Sequence, residues 1–317
     1  MKLISRETLL ADTLVLHEMG MPSGLSVPWL NLQKLYSVAP AQFTLVTGVP
    51  GSGKSEFLDA LIIELLRTYP QARCAFYSPE NMPYELHVAK LAAKWMGRPF
   101  GVGPSQRMSK NEVESFMREE GGRRIHFLDI GNRSETIFEM LALTTEQPQT
   151  GLPMEEFDPF WWTEKGKAPF ASGIERPFFL VIDPWNFIEK RTTMSEADYL
   201  SAALSTVDKY AHFTNCHIFI VAHPTKLERA KDGTTPVPRA YDVSGGAHWF
   251  NKADNIICVH RTNKEDMSAP VQIHVQKVRF NHCGKVGMCE LKRDKLTGKY
   301  FESAPQNPAY DERSRVF

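Results

Sequence analysis

Gly48-Val49-Pro50-Gly51-Ser52-Gly53-Lys54-Ser55 fits the spacing G-x-x-x-x-G-K-[ST], and the chemistry of that spacing is phosphate binding. The glycines let backbone N–H groups wrap the β- and γ-phosphates, and the positive end of a following helix adds to them. Lys54 would neutralise phosphate charge, and the Ser55 hydroxyl would ligate Mg²⁺. A Gly-rich turn with a surface lysine is the competing reading; an apolar strand before the motif and a helix after it favour the nucleotide site. Asp183 ends the apolar run Phe178 to Ile182. A carboxylate at the tip of a buried parallel strand is the usual second Mg²⁺ anchor of P-loop NTPases, against the simpler role of a helix N-cap before Pro184. Pro184 and not an acid follows it, so the group that activates water must come from elsewhere. Glu80 lies just past the strand Cys74 to Ser78. If that strand neighbours the P-loop strand, Glu80 points at the γ-phosphate from the side and can orient or deprotonate water. Taken alone, it fits a helix-start acid before Pro83 equally well. His223 ends the run His217 to Ala222 and is either a γ-phosphate sensor or a satisfied turn histidine.

Bringing these residues together requires an alternation of strands and helices, and the pattern supplies one. Phe43 to Thr47 reads as a strand and Lys54 to Thr68 as a helix. Cys74 to Ser78 is a strand, Tyr84 to Met96 a helix, Ile125 to Leu128 a strand and Glu135 to Leu143 a helix. Phe178 to Ile182 and His217 to Ala222 are unbroken apolar strands, as expected when both sheet faces are covered, with a helix from Ser195 to Phe213 between them. Ile256 to Val259, Val271 to Val278, Gly287 to Lys292 and Tyr300-Phe301 then read as a C-terminal β-meander. The fold class is therefore α/β, a mainly parallel sheet with helices on both faces. Residues 144–177 interrupt the scheme with Pro148, Pro153, Pro159, Pro169 and Pro177 around Trp161 and Trp162. Proline at that density forbids a long helix and implies a surface insertion. Residues 1–20 form a separate unit. Ser5 precedes a short amphipathic helix carrying Leu9, Leu10, Leu14 and Leu16, and Met21-Pro22-Ser23-Gly24 breaks it.

Composition narrows the classes. Lys plus Arg is 37 and Asp plus Glu is 37 in 317 residues, so a globally basic nucleic-acid coat is excluded and any nucleic-acid contact must be local. A hydrophobic share of 42% with 23% charged residues is globular and not disordered. No apolar run approaches the ~20 residues needed to cross a bilayer, and no membrane partner is expected. Five scattered cysteines suggest free thiols in a reducing compartment, and a cytoplasmic setting follows. His274, His282, Cys283 and Cys289 lie near one another in the chain, but their spacing fits no zinc template.

The ordered set of motifs resembles the RecA-type motor domain of hexameric replicative DNA helicases, the group that includes bacterial DnaB, the phage primase–helicases and Twinkle; it is most similar to bacterial and phage Twinkle-like primase–helicases. The resemblance is carried by Gly20 to Ser26, Thr47 to Leu58, Ser78 to Phe100, Val181 to Phe187, Ala222-His223-Pro224-Thr225-Lys226, Tyr241 to Arg261 and Val275-Gln276-Lys277-Val278-Arg279-Phe280. It implies a RecA-like core over residues 21–317 and, in residues 1–20, a linker helix that packs on an adjacent subunit. It makes Gly48, Pro50, Gly51, Ser52, Gly53, Lys54 and Ser55 the nucleotide loop, Glu80 the catalytic glutamate, Ser55 and Asp183 the Mg²⁺ site, and His223 the γ-phosphate sensor. Arg279 matches an arginine finger that reaches the neighbouring subunit's nucleotide, Lys277 its companion cation on the same strand face, and Arg261 a basic residue packed by the base. DNA contact falls to Lys226, Arg229, Lys231 and Arg239 and to Ser244-Gly245-Gly246, with flexible cations tracking phosphates and glycines admitting backbone N–H groups.

The implied function is a ring-shaped, most simply hexameric, motor that hydrolyses ATP or another nucleoside triphosphate with Mg²⁺, translocates on single-stranded DNA and unwinds duplex. A primase domain or protein is the implied partner, and a bacterial or phage cytoplasm the implied location. The sequence departs from the group in having no primase region ahead of the motor, so it reads as a primase-less helicase or the C-terminal part of a longer chain. It also has Lys292-Arg293-Asp294 where some relatives stack a Tyr on the base. Two alternatives stay open: a RecA- or RadA-like filament-forming ATPase, and a non-motor DNA-binding oligomer switched by nucleotide.

Overall fold

A computed structural model of the chain describes residues 4–118, 121–128, 178–188, 190, 193–225, 235–262 and 269–302. The expected helix at 135–143 and the proline-rich stretch 144–177 lie outside the described residues. Two short strands, β1 (Leu25–Ser26) and β2 (Ser37–Val38), pair antiparallel. The main sheet contains β3 (Gln42–Thr47), β4 (Arg73–Tyr77), β5 (Ile125–Phe127), β6 (Phe178–Ile182), β7 (His217–Val221), β8 (Asn255–His260), β9 (Val271–Val278), β10 (Gly287–Arg293) and β11 (Tyr300–Glu302). Its order is β11-β10-β9-β8-β3-β7-β6-β4-β5. From β8 to β5 the pairs are parallel, and from β8 to β11 they are antiparallel. The expected sheet and C-terminal meander are both present.

The apolar runs are continuous because each strand feeds two cores. Val46, Phe76, Val181, Phe219 and Ile257 face one core with Phe57, Leu61, Leu65 and Leu91. Their neighbours Leu45, Tyr77, Leu180, Ile218 and Ile256 face the other, with Leu200, Leu204, Val207 and Trp249. This is the period-two alternation of a sheet covered on both sides. Helices Lys54–Thr68 and Tyr84–Met96 lie over the first face, and Glu196–Thr214 over the second. Ser195 caps the last of these by accepting from the Asp198 N–H.

Three described helices have no counterpart in the sequence reading, Leu30–Gln33, Lys110–Arg118 and Gly246–Lys252. The last starts where a DNA-contacting loop with Ser244-Gly245-Gly246 was expected. Gly245 adopts a left-handed φ of 71° as its N-cap, and a Cβ on Gly246 would lie 2.4 Å from the Tyr241 Cα. These glycines therefore have a packing reason: they let the helix start against the Tyr241 backbone. Gly246→Ala should destabilise the protein by ~1–3 kcal/mol, the range of overpacking substitutions, read as a lower urea midpoint at unchanged slope. An unshifted midpoint would assign the glycine to something other than packing.

Candidate functional site

Gly48 follows β3 directly, with a φ of 148° and so little room that a Cβ would lie 2.3 Å from the Val259 carbonyl oxygen. Only glycine turns the chain there while β8 runs alongside. Gly53 then leads into the helix Lys54–Thr68, whose first N–H groups point back toward the loop. The buried Lys54 ammonium donates to the carbonyls of Gly48 at 2.9 Å and Val49 at 3.3 Å. The cation is thus held inside the curve of the loop, where phosphate oxygens would be met.

Parallel pairing brings the other residues to this edge, because β3, β7, β6 and β4 all end on it. Asp183 follows β6 and is 4% exposed. It accepts a hydrogen bond from Ser55, while its Oδ1 has no partner among the described residues. It is not a helix N-cap; Pro184 holds that position. Burial pushes its pKa up to about 6, with the nearby charges of Asp59 and Glu80 adding to the effect.

The strand carrying Glu80 corrects one expectation. β4 does not neighbour the P-loop strand; β7 and β6 lie between them. Glu80 nevertheless reaches the site, because the 3₁₀ turn Pro79–Asn81 brings its Oε1 to 3.9 Å from His223 Nε2. Burial lowers the His223 pKa, Lys54 lowers it further and Glu80 partly opposes this. The imidazole is therefore neutral at neutral pH, and its buried Nδ1 has no partner among the described residues. That is not the satisfied turn histidine of the simpler reading. The His223 backbone N–H faces Asn186 Oδ1 at 3.5 Å, a link between the loops after β6 and β7 that the sequence did not announce.

Two more residues were missed. The Tyr300 hydroxyl is buried, has no partner among the described residues and lies 3.3 Å from where a Gly53 Cβ would stand. Asp59, on the P-loop helix, is held by His87 at 2.8 Å with Lys94 at 3.8 Å. Burial acts to raise the Asp59 pKa, and His87 and Lys94 together hold it below the ordinary value. Lys94 also pairs with Glu56 at 2.8 Å, and Arg293 pairs with Glu56 at 3.4 Å. The P-loop helix is thereby fastened to the helix Tyr84–Met96 and to β10. Arg293 stands in the stretch where some relatives place a Tyr, and here it serves this network.

Arg261 is buried just past the end of β8, on the P-loop edge. Arg279 is at the opposite edge. Val278 pairs with Asn255, which pairs with Thr44 near the start of β3. Five residues of strand separate Phe43 from Gly48, about 17 Å at the usual rise. Arg279 Nη1 donates to Asp254 Oδ1 at 2.8 Å, and its side chain is 51% exposed. Lys277 Nζ donates to the carbonyls of Phe250 and Ala253, capping the helix Gly246–Lys252. Of the residues read as DNA contacts, Lys226, Arg229 and Lys231 lie outside the described residues. Arg239 is exposed, Ser244 donates to Glu196 at 3.0 Å, and Gly245 and Gly246 are packed as described above.

Three buried polar atoms that have no partner among the described residues, Ser52 Oγ, Asp183 Oδ1 and the Tyr300 hydroxyl, thus flank one glycine-rich loop and its lysine. Buried polar groups are normally satisfied, so the set fits a site that binds a nucleotide. Fold and site define a P-loop nucleotide-binding domain. No family model matches the chain. It is 35% identical over 304 residues to the Twinkle homolog protein, chloroplastic/mitochondrial, of Arabidopsis thaliana; the match covers 93% of this chain and 38% of that protein. Among solved structures, one described as an ATPase domain superposes with a TM-score of 0.70 at 15% identity, covering 95% of this chain and 99% of that one. A DnaB-like replicative helicase, whose structure was described with its interactions with primase, gives 0.70 and 15%, covering 95% and 69%. The fold is that of RecA-like ATPase domains, and the chain is similar over most of its length to a part, about two fifths, of the Twinkle homolog.

The state of Asp183 gives a test. With its native-state pKa raised above the unfolded value, ionisation costs stability as pH rises from about 4 to about 6, and the full cost is present above that. Asp183→Asn removes it. The ligand-free variant should melt a few degrees higher at pH 7.5, at ~2–4 °C per kcal/mol in a domain of this size, and should lose Mg²⁺-dependent nucleotide binding. A variant that melts lower and binds as before would remove Asp183 from the metal site.

Proposed function

We propose that this chain is the motor part of a ring-forming DNA helicase, which hydrolyses ATP with Mg²⁺ while moving on single-stranded DNA. What carries the reading is the division of charged groups between the two edges of one sheet. The P-loop, Asp183, Glu80 and His223 gather at one edge, and Arg279 is fixed at the other. A cation about a strand length from its own nucleotide loop is suited to complete the site of an adjacent copy. The identity to a Twinkle homolog over most of the chain supports the same reading.

In the proposed site Lys54 and the loop amides bind the β- and γ-phosphates, and Ser55 and Asp183 hold Mg²⁺. When bound, the metal would neutralise phosphate charge. Glu80 orients the attacking water and takes its proton, with neutral His223 beside it to register the γ-phosphate. Arg261 lies at the edge where the nucleoside would rest. Arg279 of the adjacent copy meets charge that develops on the γ-phosphoryl oxygens, for which a permanently charged planar guanidinium is suited. Lys277 supports that edge as a helix cap, a narrower role than companion cation.

Assembly has a candidate surface in the N-terminal helix Arg6–Met19. It has no buried residue, and Leu9, Leu10 and Leu14 are all at least half exposed. We read it as a linker helix whose leucines are covered by the adjacent subunit, and residues from 21 onward as the motor. DNA is assigned to the loops following β6 and β7, including Lys226, Arg229, Lys231 and Arg239, and a primase is the expected partner. The five cysteines are free and buried, which supports a reducing compartment. Among the described residues no helix is long and apolar enough to cross a membrane.

Unwinding of a forked duplex with ATP and Mg²⁺ separates this reading from its rivals. A filament former would coat the strand at fixed stoichiometry without unwinding, and a switch would bind DNA without DNA-stimulated turnover. Glu80→Gln should keep nucleotide affinity and lose about 10²-fold or more in turnover, the usual worth of a general base; wild-type turnover would mean that the base lies elsewhere. Arg279→Ala should likewise keep affinity and lose up to ~10³ in turnover. Mixing Arg279→Ala with Lys54→Ala subunits, each inactive alone, should restore part of the ATPase activity. If rings form and exchange subunits yet no activity returns at any ratio, the finger in trans is overturned.

A further inference from the structure

We propose that Asp254 is a positioning residue that holds Arg279 for the nucleotide of the adjacent subunit and ties it to the strand bearing its own subunit's P-loop. The inference rests on the reading of Arg279 as a finger in trans. Asp254 immediately precedes β8, and its side chain is 2% exposed. Both carboxylate oxygens are used: Oδ1 accepts from Arg279 Nη1 at 2.8 Å, and Oδ2 accepts from the Phe43 N–H at 2.9 Å. The Asp254 N–H in turn donates to the Phe43 carbonyl at 3.1 Å. A buried carboxylate is costly unless paired, and these contacts account for both of its oxygens. Arg279 is the half-exposed partner, so one edge of its fork is fixed while the rest of the guanidinium faces outward.

The arrangement solves a specific problem. Arg279 lies just past the end of β9, before the 3₁₀ turn Asn281–Cys283, and an unpaired arginine there would sample many rotamers. Catalysis in trans requires the guanidinium to be in place before charge develops, because preorganised groups need no rearrangement in the transition state. Pairing with Asp254 removes that rotamer freedom in advance. Phe43 begins the apolar core of β3, and β3 ends at Thr47, next to Gly48. Asp254 therefore joins the finger to a rigid strand whose other end is the nucleotide loop.

The test uses Asp254→Asn in the full chain, which keeps the shape and removes the charge. Turnover should fall about tenfold or more while KM for ATP changes less than about threefold, since the lost interaction is made only in the transition state. Mixing with Lys54→Ala subunits should restore activity, as it does for Arg279→Ala, because the Asp254→Asn subunit keeps an intact nucleotide loop. The double variant Asp254→Asn/Arg279→Ala should be no slower than Arg279→Ala alone. General damage to the fold would not be rescued by mixing and would add to the Arg279 effect. Asp254→Glu keeps the charge but displaces it, and it serves as the second variant if Asp254→Asn does not fold; it should be slowed and rescued in the same way. Wild-type turnover overturns the inference. So does a defect that Lys54→Ala subunits do not rescue while they do rescue Arg279→Ala. Failure of Arg279→Ala itself to be rescued would instead sink the finger reading on which this one stands.

Discussion

The parallel register around β3 is the constraint on which the rest of the structure depends. A parallel sheet sends every strand end to the same edge, so a residue placed just after any of these strands is delivered there whatever its distance in sequence. β3 contributes the phosphate loop, β7 His223, β6 Asp183 and β4 Glu80. Neighbouring strands lie ~4.8 Å apart, so β4 and β7, two places apart, deliver their loops about 10 Å from one another. Two extended side chains close that gap to 3.9 Å between Glu80 and His223. The same register keeps Arg279 away. β9 runs antiparallel to β8, so its end is level with the start of β3 and not with the loop.

Two buried carboxylates near the loop are treated in opposite ways, and the contrast marks where a ligand belongs. Asp59, beneath the P-loop helix, has His87 and Lys94 around it and is held ionised. It works as a structural anchor, since the P-loop helix could not shift without separating buried charges. Asp183 has Ser55 and, among the described residues, no ion-pair partner, and burial raises its pKa. A carboxyl left under-compensated at a strand tip is unfavourable for the fold alone and suited to a divalent cation. Tyr300 and Ser52, each with a buried hydroxyl that has no partner among the described residues, extend the pattern beside the same loop.

Much of this was legible in the sequence, and the gaps have physical causes. Strand and helix identity followed from apolar runs and their punctuation, because residues buried on both faces leave a continuous signal. The ends of β3, β6 and β7 fell within a residue of expectation, and so Asp183 and His223 could be placed. Strand order could not be read, because the alternation of strands and helices does not say which strand inserts beside which. Glu80 was therefore credited to a strand next to β3 when two strands intervene. The helix Gly246–Lys252 was hidden by its glycines, which signal a loop when read locally and a close approach to Tyr241 when packed. Helix Lys110–Arg118 is mostly polar, with Phe116 its one buried side chain. Tyr300 and Asp254 gave no signal, since one hydroxyl and one carboxylate acquire meaning only from neighbours 247 and 211 residues away.

The opposite-edge arrangement also explains why arginine and lysine, two residues apart, end in different roles. Lys277 carries a compact ammonium with three rotatable donors, and it closes over the carbonyls of Phe250 and Ala253 at a helix end. Arg279 carries a planar fork that can bind a carboxylate along one side and leave the other free. The fork is anchored at 2.8 Å along one side and still has donors on the other. On the proposed reading, one strand then carries half of a site at each end, the loop at the top and the anchored cation at the base. On that reading, copies arranged in a ring would complete one another's sites. Phe43 and Asp254 link that cation to β3 by hydrogen bonds, so the strand that ends at the nucleotide loop also supports the anchored guanidinium.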